Sequence, residues 1–243
     1  MQDVSAFDDD ITAYYDRGEK AGRLGDWGRL ELVRTQELLH RYLPAPPARV
    51  LDVGGGPGVY SVWLAGLGYD VALLDPVELH VAQARAAGVA RAEVGDARAL
   101  PFADGSADAV LLLGPLYHLT EAEDRVRALE EARRVLVPGG VVAVAAISRF
   151  AAAIDGLQKG RLRDPGFQDV LEGSLRDGRH TNPTREPGWF TTAYFHLPDE
   201  LADEVRAAGS TSRDSPPSRA SASGCPTWTS GSTTRHCGRR SCT

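Results

Sequence analysis

Residues 49–58, RVLDVGGGPG, confine the fold more tightly than any other stretch: an apolar strand runs into a glycine-rich turn, with a carboxylate, Asp52, two residues before the first glycine. Val50, Leu51 and Val53 have the β-branched or aliphatic character of a strand buried on both faces of a parallel sheet. The glycines that follow continue a strand poorly and begin a helix poorly, so the chain turns here. Gly54, Gly56 and Gly58 can take positive φ and carry no Cβ, which lets the backbone approach a ligand closely. VYSVWLAGL behind them reads as a helix whose amide dipoles point at that ligand. The turn is therefore a nucleotide-type site by mechanism. A dinucleotide loop, G-x-G-x-x-G, has glycine or alanine at its last place; counted from Gly54 that place is Val59, and the pattern here is D-x-G-x-G-x-G.

Acidic positions follow at informative intervals. VALLDP (71–76) reads as a second buried strand ending in Asp75, a carboxylate placed to accept both hydroxyls of a ribose. A short third strand, RAEV (91–94), runs into Gly95 and Asp96. ADAVLLLG (107–114) is a fourth, and VLVPGGVVAVAAI (135–147) sets a Pro-Gly-Gly turn before a fifth. In this combination and order the landmarks resemble the S-adenosylmethionine-dependent methyltransferases of the Rossmann-like class, over about residues 12–208. The resemblance implies an α/β fold: a doubly wound, mostly parallel sheet with helices on both faces, a helical N-terminal lid and a helical insertion after strand 5. It implies S-adenosylmethionine as cofactor; no H-E-x-x-H or comparable ligand cluster occurs, so no metal is expected. Asp52 and the turn of Gly54, Gly56 and Gly58 would hold the methionine portion, Asp75 and Pro76 the ribose, and Asp96 and Ala97 the adenine. The Leu113–Gly114 backbone would lie near the methionyl amine.

With 243 residues the chain can bury one sizeable core. A net charge of −6 and a sequence pI near 5.5 give no reason to expect nucleic acid or an anionic membrane as partner, which leaves a small-molecule acceptor. No run of about 18 apolar residues occurs, and the start, MQDVSAFDDD, is acidic, so a cytoplasmic protein is expected. Cys225, Cys237 and Cys242 all fall within the last twenty residues, so the core owes nothing to disulfides or thiolate metal sites.

Taken in order, residues 1–47 read as a helical lid, residues 48–209 as the Rossmann-like domain, and residues 148–190 within it as an insertion on the acceptor side. Tyr14 and Tyr15 are candidates for covering the acceptor; packing of a short helix onto the sheet explains them equally well. GPLYHL puts Tyr117 and His118 at the carboxyl edge of the sheet, where ligands of open α/β sheets bind, with Thr120 able to cap the next helix. Imidazole suits proton removal near neutral pH, so His118 is the first candidate base against an orienting role. His80 reads as a surface or half-buried side chain of a helix, and Leu100, Pro101 and Phe102 as an apolar wall near the adenine or as plain packing. Trp189, Phe190, Tyr194, Phe195 and His196 form a dense aromatic group that suits the wall of a planar acceptor's pocket; His196 and Tyr194 are the further candidates for acid–base work.

The reaction implied is an in-line methyl transfer, to oxygen or nitrogen ahead of carbon. Two alternatives stand beside it: a catalytically impaired or non-catalytic S-adenosylmethionine-binding protein of the same fold, and an NAD(P)-dependent oxidoreductase, which would leave Val59 and Asp96 unexplained. Residues 210–243 contain no Leu, Ile, Val, Phe, Tyr or Met. That composition predicts either a disordered tail or translation out of frame, with the last strands of the sheet missing.

Overall fold

The computed structural model describes residues 28–182, 188–209 and 227–229. Helix α1 (Arg29–Tyr42) is followed by Pro44, Pro46 and Pro47, which cannot prolong it, and the chain then enters β1 (Arg49–Val53). Strands and helices alternate from there: α2 (Val59–Gly66), β2 (Asp70–Asp75), α3 (Glu78–Ala86), β3 (Arg91–Val94), β4 (Ala107–Leu112), α4 (Ala122–Val135) and β5 (Leu136–Ser148). Helix α5 (Ala151–Gln158), α6 (Pro165–Asp177), β6 (Arg179–His180), β7 (Ala193–His196) and α7 (Pro198–Ala207) complete the body of the fold, and β8 covers Thr227–Thr229. No helix among the described residues is long and apolar enough to cross a membrane.

The strand order is β3-β2-β1-β4-β5-β7-β6, with β8 paired to β5 outside that path. The pairings from β3 through to β7 are parallel, and β6–β7 and β5–β8 are antiparallel. Parallel neighbours need crossovers, and the crossovers here cover both faces of the sheet, as alternate residues of single strands show. Val50, Ala109 and Leu111 pack with Leu39, Leu43 and Leu64 on one face. Leu51, Val53, Val110 and Leu112 pack with Ala128, Leu129, Ala132, Leu201 and Val205 on the other.

Two local features differ from the sequence reading. The Pro-Gly-Gly stretch does not precede a strand but lies inside β5: Ala107 pairs with Leu136 and Ala109 with Val141, so Pro138, Gly139 and Gly140 are taken up as an irregularity in the ladder. Helix α4 begins at Ala122 with Glu121 at its N-cap and no capping side chain. Thr120 instead offers its carbonyl, with that of Leu119, to the guanidinium of Arg125. Leu100 belongs to the core and Phe102 packs against it. In the tail, Thr227–Thr229 pair with Val144–Ala146; the rest of residues 210–243, and the question of their reading frame, lie outside the described residues.

The segment after β5 is tied down by local chemistry. Asp164 accepts hydrogen bonds from the Gly166 and Phe167 amides at the start of α6, Pro165 fits the first helical position, and Gly178 closes the helix at φ 83°. Phe167, Val170 and Trp189 form one apolar cluster, and Ala151, Ala152, Ala193 and Phe195 another. Arg125, only 2% exposed, fastens α4 to α7 through Glu204 and lies 3.7 Å from the centroid of the Tyr194 ring.

Candidate cofactor and acceptor site

A cavity of about 340 Å³ opens at the carboxyl edge of β1, β2 and β4 and continues past α5, α6 and β6. That edge is where an open α/β sheet leaves a crevice. Its floor is made by two loops that touch: a Cβ on Gly54 would lie 2.6 Å from Pro115, and one on Gly114 3.1 Å from the Gly54 carbonyl. Glycine at both places allows the β1 and β4 loops to close over the sheet edge.

At the end of β2, Asp75 is 4% exposed and held by three donors. The Gly56 amide gives a hydrogen bond to Oδ2 (2.8 Å), and the Val77 amide (2.9 Å) and His80 Nδ1 (3.0 Å) give theirs to Oδ1. A carboxylate has roughly four acceptor positions, so capacity for a hydroxyl remains. Pro76, Val77 and His80 line the cavity beside it, which gives His80 the job of orienting Asp75 rather than the surface place read from its helix.

Asp96 and Ala97 line the cavity further along. The Asp96 carboxylate is shared: the Arg98 amide (2.8 Å) and guanidinium (2.6 Å) both donate to it, and the same guanidinium reaches Asp124 (2.8 Å). Leu113 and Gly114 line the side nearest the glycine turn.

Asp52 and Gly58, expected to hold the methionine portion, do not themselves line the cavity. Asp52 is 1% exposed and lies beneath the turn, where a Cβ on Gly55 would meet its carboxylate at 2.8 Å. Ser61 at the start of α2 donates to Oδ2 (2.7 Å), and Oδ1 has no hydrogen-bond partner. Burial, with a smaller contribution from the Asp75 charge and against the Ser61 hydrogen bond, pushes the carboxyl up to about 6. Gly58 caps α2 at φ 85° and faces α3: an added Cβ would sit 2.9 Å from Val89 and 3.1 Å from Ala84. It is the residue that lets α2 and α3 pack.

At the other end, Tyr117, His118 and Trp189 all line the cavity. His118, on a 3-10 turn formed by Pro115–His118, meets Tyr117 edge-on with centroids 4.6 Å apart and stacks on Phe190 at 5.9 Å. Tyr194 and His196 do not line it. Along β7, alternate side chains point to opposite sides, and Phe195 takes the cavity side. His196 is turned to Glu204 (3.1 Å) and Tyr194 to Glu200 (3.2 Å), within the buried polar group that anchors α7. Both are removed from the acid–base candidates on that ground. Tyr14 and Tyr15 lie outside the described residues, and Glu31 of α1 is the contribution of the N-terminal segment that can be described.

The cavity also gathers residues that spacing did not single out: Asp155 of α5, Arg161, Phe167 of α6 and His180 of β6. They come from a stretch with no repeating pattern, and only the pairing of β6 with β7 brings His180 to the wall.

A family model described as a methyltransferase domain matches residues 51–144. A demethylmenaquinone methyltransferase of Beutenbergia cavernae is 34% identical over 213 residues, covering 80% of this chain and 86% of that protein. The chain belongs to the S-adenosylmethionine-dependent methyltransferases. A ubiquinone/menaquinone biosynthesis C-methyltransferase of Acidiphilium cryptum is 40% identical over 118 residues, 45% of this chain and 46% of that protein. The fold is shared with an S-adenosylmethionine-dependent methyltransferase structure from Methanosarcina mazei, at TM-score 0.59 and 20% identity over 80% of this chain and 96% of that one.

The residues of this methyltransferase fit its cofactor. Gly56 faces open space, so nothing at the turn obstructs a ligand, and the start of α2 points its amides into the same groove. The unpartnered Oδ1 of Asp52 adds negative potential under a site that must take a cation.

The raised Asp52 carboxyl sets a pH dependence. Between about pH 4 and 6 the folded protein keeps a proton that the unfolded chain has already lost, so folding stability falls as pH rises through that window and stays lower above it. Two pKa units correspond to roughly 3 kcal/mol. Urea unfolding at pH 4.5 and 7 compares the wild type with Asp52→Asn: the wild type is expected to lose stability relative to the variant on going to pH 7, and a pH-independent difference would contradict the assignment.

Proposed function

We propose that this methyltransferase acts on a small, planar, hydroxyl-bearing acceptor held in the apolar end of the cavity. The observation that carries this is the continuity of the two ends: the groove at the glycine turn runs directly into a chamber walled by Phe167, Trp189, Phe190, Phe195 and Tyr117, with His118 where they meet.

Bound S-adenosylmethionine supplies a methyl group on a sulfonium, whose departing thioether needs no protonation. What is left to the protein is placement, exclusion of water and removal of a proton from the acceptor. In this reading Asp75, fixed by Gly56, Val77 and His80, accepts a hydrogen bond from the ribose. Asp96 shares its carboxylate between Arg98 and the adenine side of the groove. The Leu113–Gly114 backbone meets the methionyl end, and Asp52 supports the turn from below. His118, its ring set by Tyr117 and Phe190, takes the acceptor's proton.

Ionising an aromatic hydroxyl activates its oxygen and the neighbouring ring carbons alike. Transfer to oxygen or nitrogen is the first reading. Transfer to a ring carbon is the second reading, supported by the relatives named for quinone biosynthesis, one of them expressly as a C-methyltransferase.

Methyl transfer from labelled donor to a panel of phenols and quinols, with mass spectrometry of the products, tests the function and identifies the attacked atom; no methylated product from any acceptor would leave a cofactor-binding protein without turnover. Asp75→Ala is expected to weaken S-adenosylmethionine binding about 10- to 100-fold in calorimetric titration, because the ribose hydroxyls lose a charge-assisted acceptor. For His118→Ala, turnover is expected to fall about 100-fold or more with donor affinity nearly intact. Normal turnover would assign His118 to packing alone.

A further inference from the structure

Two charged side chains stand on the wall of the apolar chamber, and they are not equally satisfied. Asp155, from the side of α5 that also contributes Ala151 and Ala152, and Arg161, on a 3-10 turn formed by Arg161–Arg163, both line the cavity. Gly160, at φ 69°, turns the chain between them at the end of α5. One oxygen of Asp155 is met by Lys159 Nζ at 2.6 Å, whereas Arg161 Nη1 approaches the other only to 3.6 Å, beyond hydrogen-bond length. Lys159 does not line the cavity. Two cations against one carboxylate leave a surplus positive charge, and Arg161 is the cation that presents it to the chamber.

The guanidinium is held in place without being used up. Nη1 donates to the Gly188 carbonyl (3.0 Å), its one hydrogen bond among the described residues, and a guanidinium has five N–H donors in a fixed fork. A Cβ on Gly188 would sit 3.2 Å from Nη2, so glycine lets the group lie against the backbone beside Trp189. The Arg161 side chain is 23% exposed against 40% for Asp155; its charge is partly withdrawn from water, where pairing with an anion counts for more than at an open surface. Trp189 meets Phe167 edge-on with centroids 5.2 Å apart, and both rings line the cavity. A flat apolar wall thus adjoins a fork that matches a carboxylate.

We propose that Arg161 is a specificity-determining residue of the acceptor site, and that the acceptor is an aromatic hydroxy acid whose carboxylate pairs with the Arg161 guanidinium while its ring lies along Trp189 and Phe167. The proposal rests on the methyltransferase reading of the cavity and adds to it the charged group by which the acceptor is chosen. An amine acceptor fits this wall less well, because Asp155 already has Lys159 on one oxygen and Arg161 beside the other. A phosphate fits less well too: its second negative charge would meet Asp155, whereas a carboxylate matches the single surplus charge.

The experiment uses the full chain loaded with S-adenosylhomocysteine and two probes of the same shape: 6-hydroxy-2-naphthoate, which is anionic, and 6-hydroxy-2-naphthamide, which is neutral. Calorimetric titration of the wild type is expected to favour the naphthoate by about tenfold or more, and Arg161→Gln to abolish that preference while binding the naphthamide and S-adenosylhomocysteine as the wild type does. Equal affinity for the two probes, no binding of the naphthoate, or a preference retained in Arg161→Gln overturns this proposal alone. A loss of S-adenosylhomocysteine affinity in Arg161→Gln also overturns it, by giving Arg161 to the cofactor. Failure of the wild type to bind S-adenosylhomocysteine overturns the reading of the cofactor groove, and this proposal with it. If Arg161→Gln does not fold, modification of the wild type by phenylglyoxal, read by mass spectrometry, decides: protection of Arg161 by the naphthoate and not by the naphthamide supports the assignment, and equal modification with either probe overturns it.

Discussion

The hydrogen bond from the Gly56 amide to Asp75 ties the glycine turn after β1 to the end of β2, and the rest of the site depends on that tie. It orients a carboxylate that His80 and the Val77 amide hold from the other side, so the two loops that would embrace a ribose are one rigid unit. Beneath it, Ser61 and Asp52 connect the turn to α2, and Gly58 lets α2 lie against α3. Above it, the contact of Gly54 with Pro115 brings in the β4 loop and with it Tyr117 and His118. A parallel sheet supplies such an edge wherever two crossovers leave in opposite directions; this sequence adds the glycines that allow the loops to meet.

The fold was readable because its strands are short apolar runs buried on both faces, bounded by glycine and acid. RAEV became β3 with the expected ends, and the alternation of helix and strand implied the doubly wound sheet that the structure contains. The Pro-Gly-Gly stretch read as a turn because both residue types break strands; it stayed in β5 because β4 could pair on either side of it. Thr120 looked like a cap from its local sequence alone, whereas a buried guanidinium 5 residues on claimed its carbonyl.

Within the site, the positions set by strand ends were legible and those set by side-chain direction were not. Asp75, Pro76, Asp96, Ala97, Leu113 and Gly114 follow from where strands stop, and all of them line the cavity. Asp52 precedes the turn by two residues, which places it on the strand and hence under the loop. Tyr194 and His196 share a strand with Phe195, and period-2 alternation sends them to the far side, where Glu200 and Glu204 receive them. His180 could not have been found by spacing, since its place depends on a two-residue strand formed with β7 across a long connection. The segment after β5 is thus held by caps and aromatic packing rather than by a periodic pattern.

The central claim is that one continuous cavity orders donor and acceptor in line, with the glycine turn at one end and the aromatic chamber at the other. A crystal structure with S-adenosylhomocysteine tests it most directly. The account predicts the ribose hydroxyls on Asp75, the adenine beside Ala97, and the sulfur facing the His118 and Phe190 end of the cavity. A ribose bound away from Asp75, or a sulfur directed away from that chamber, would contradict it.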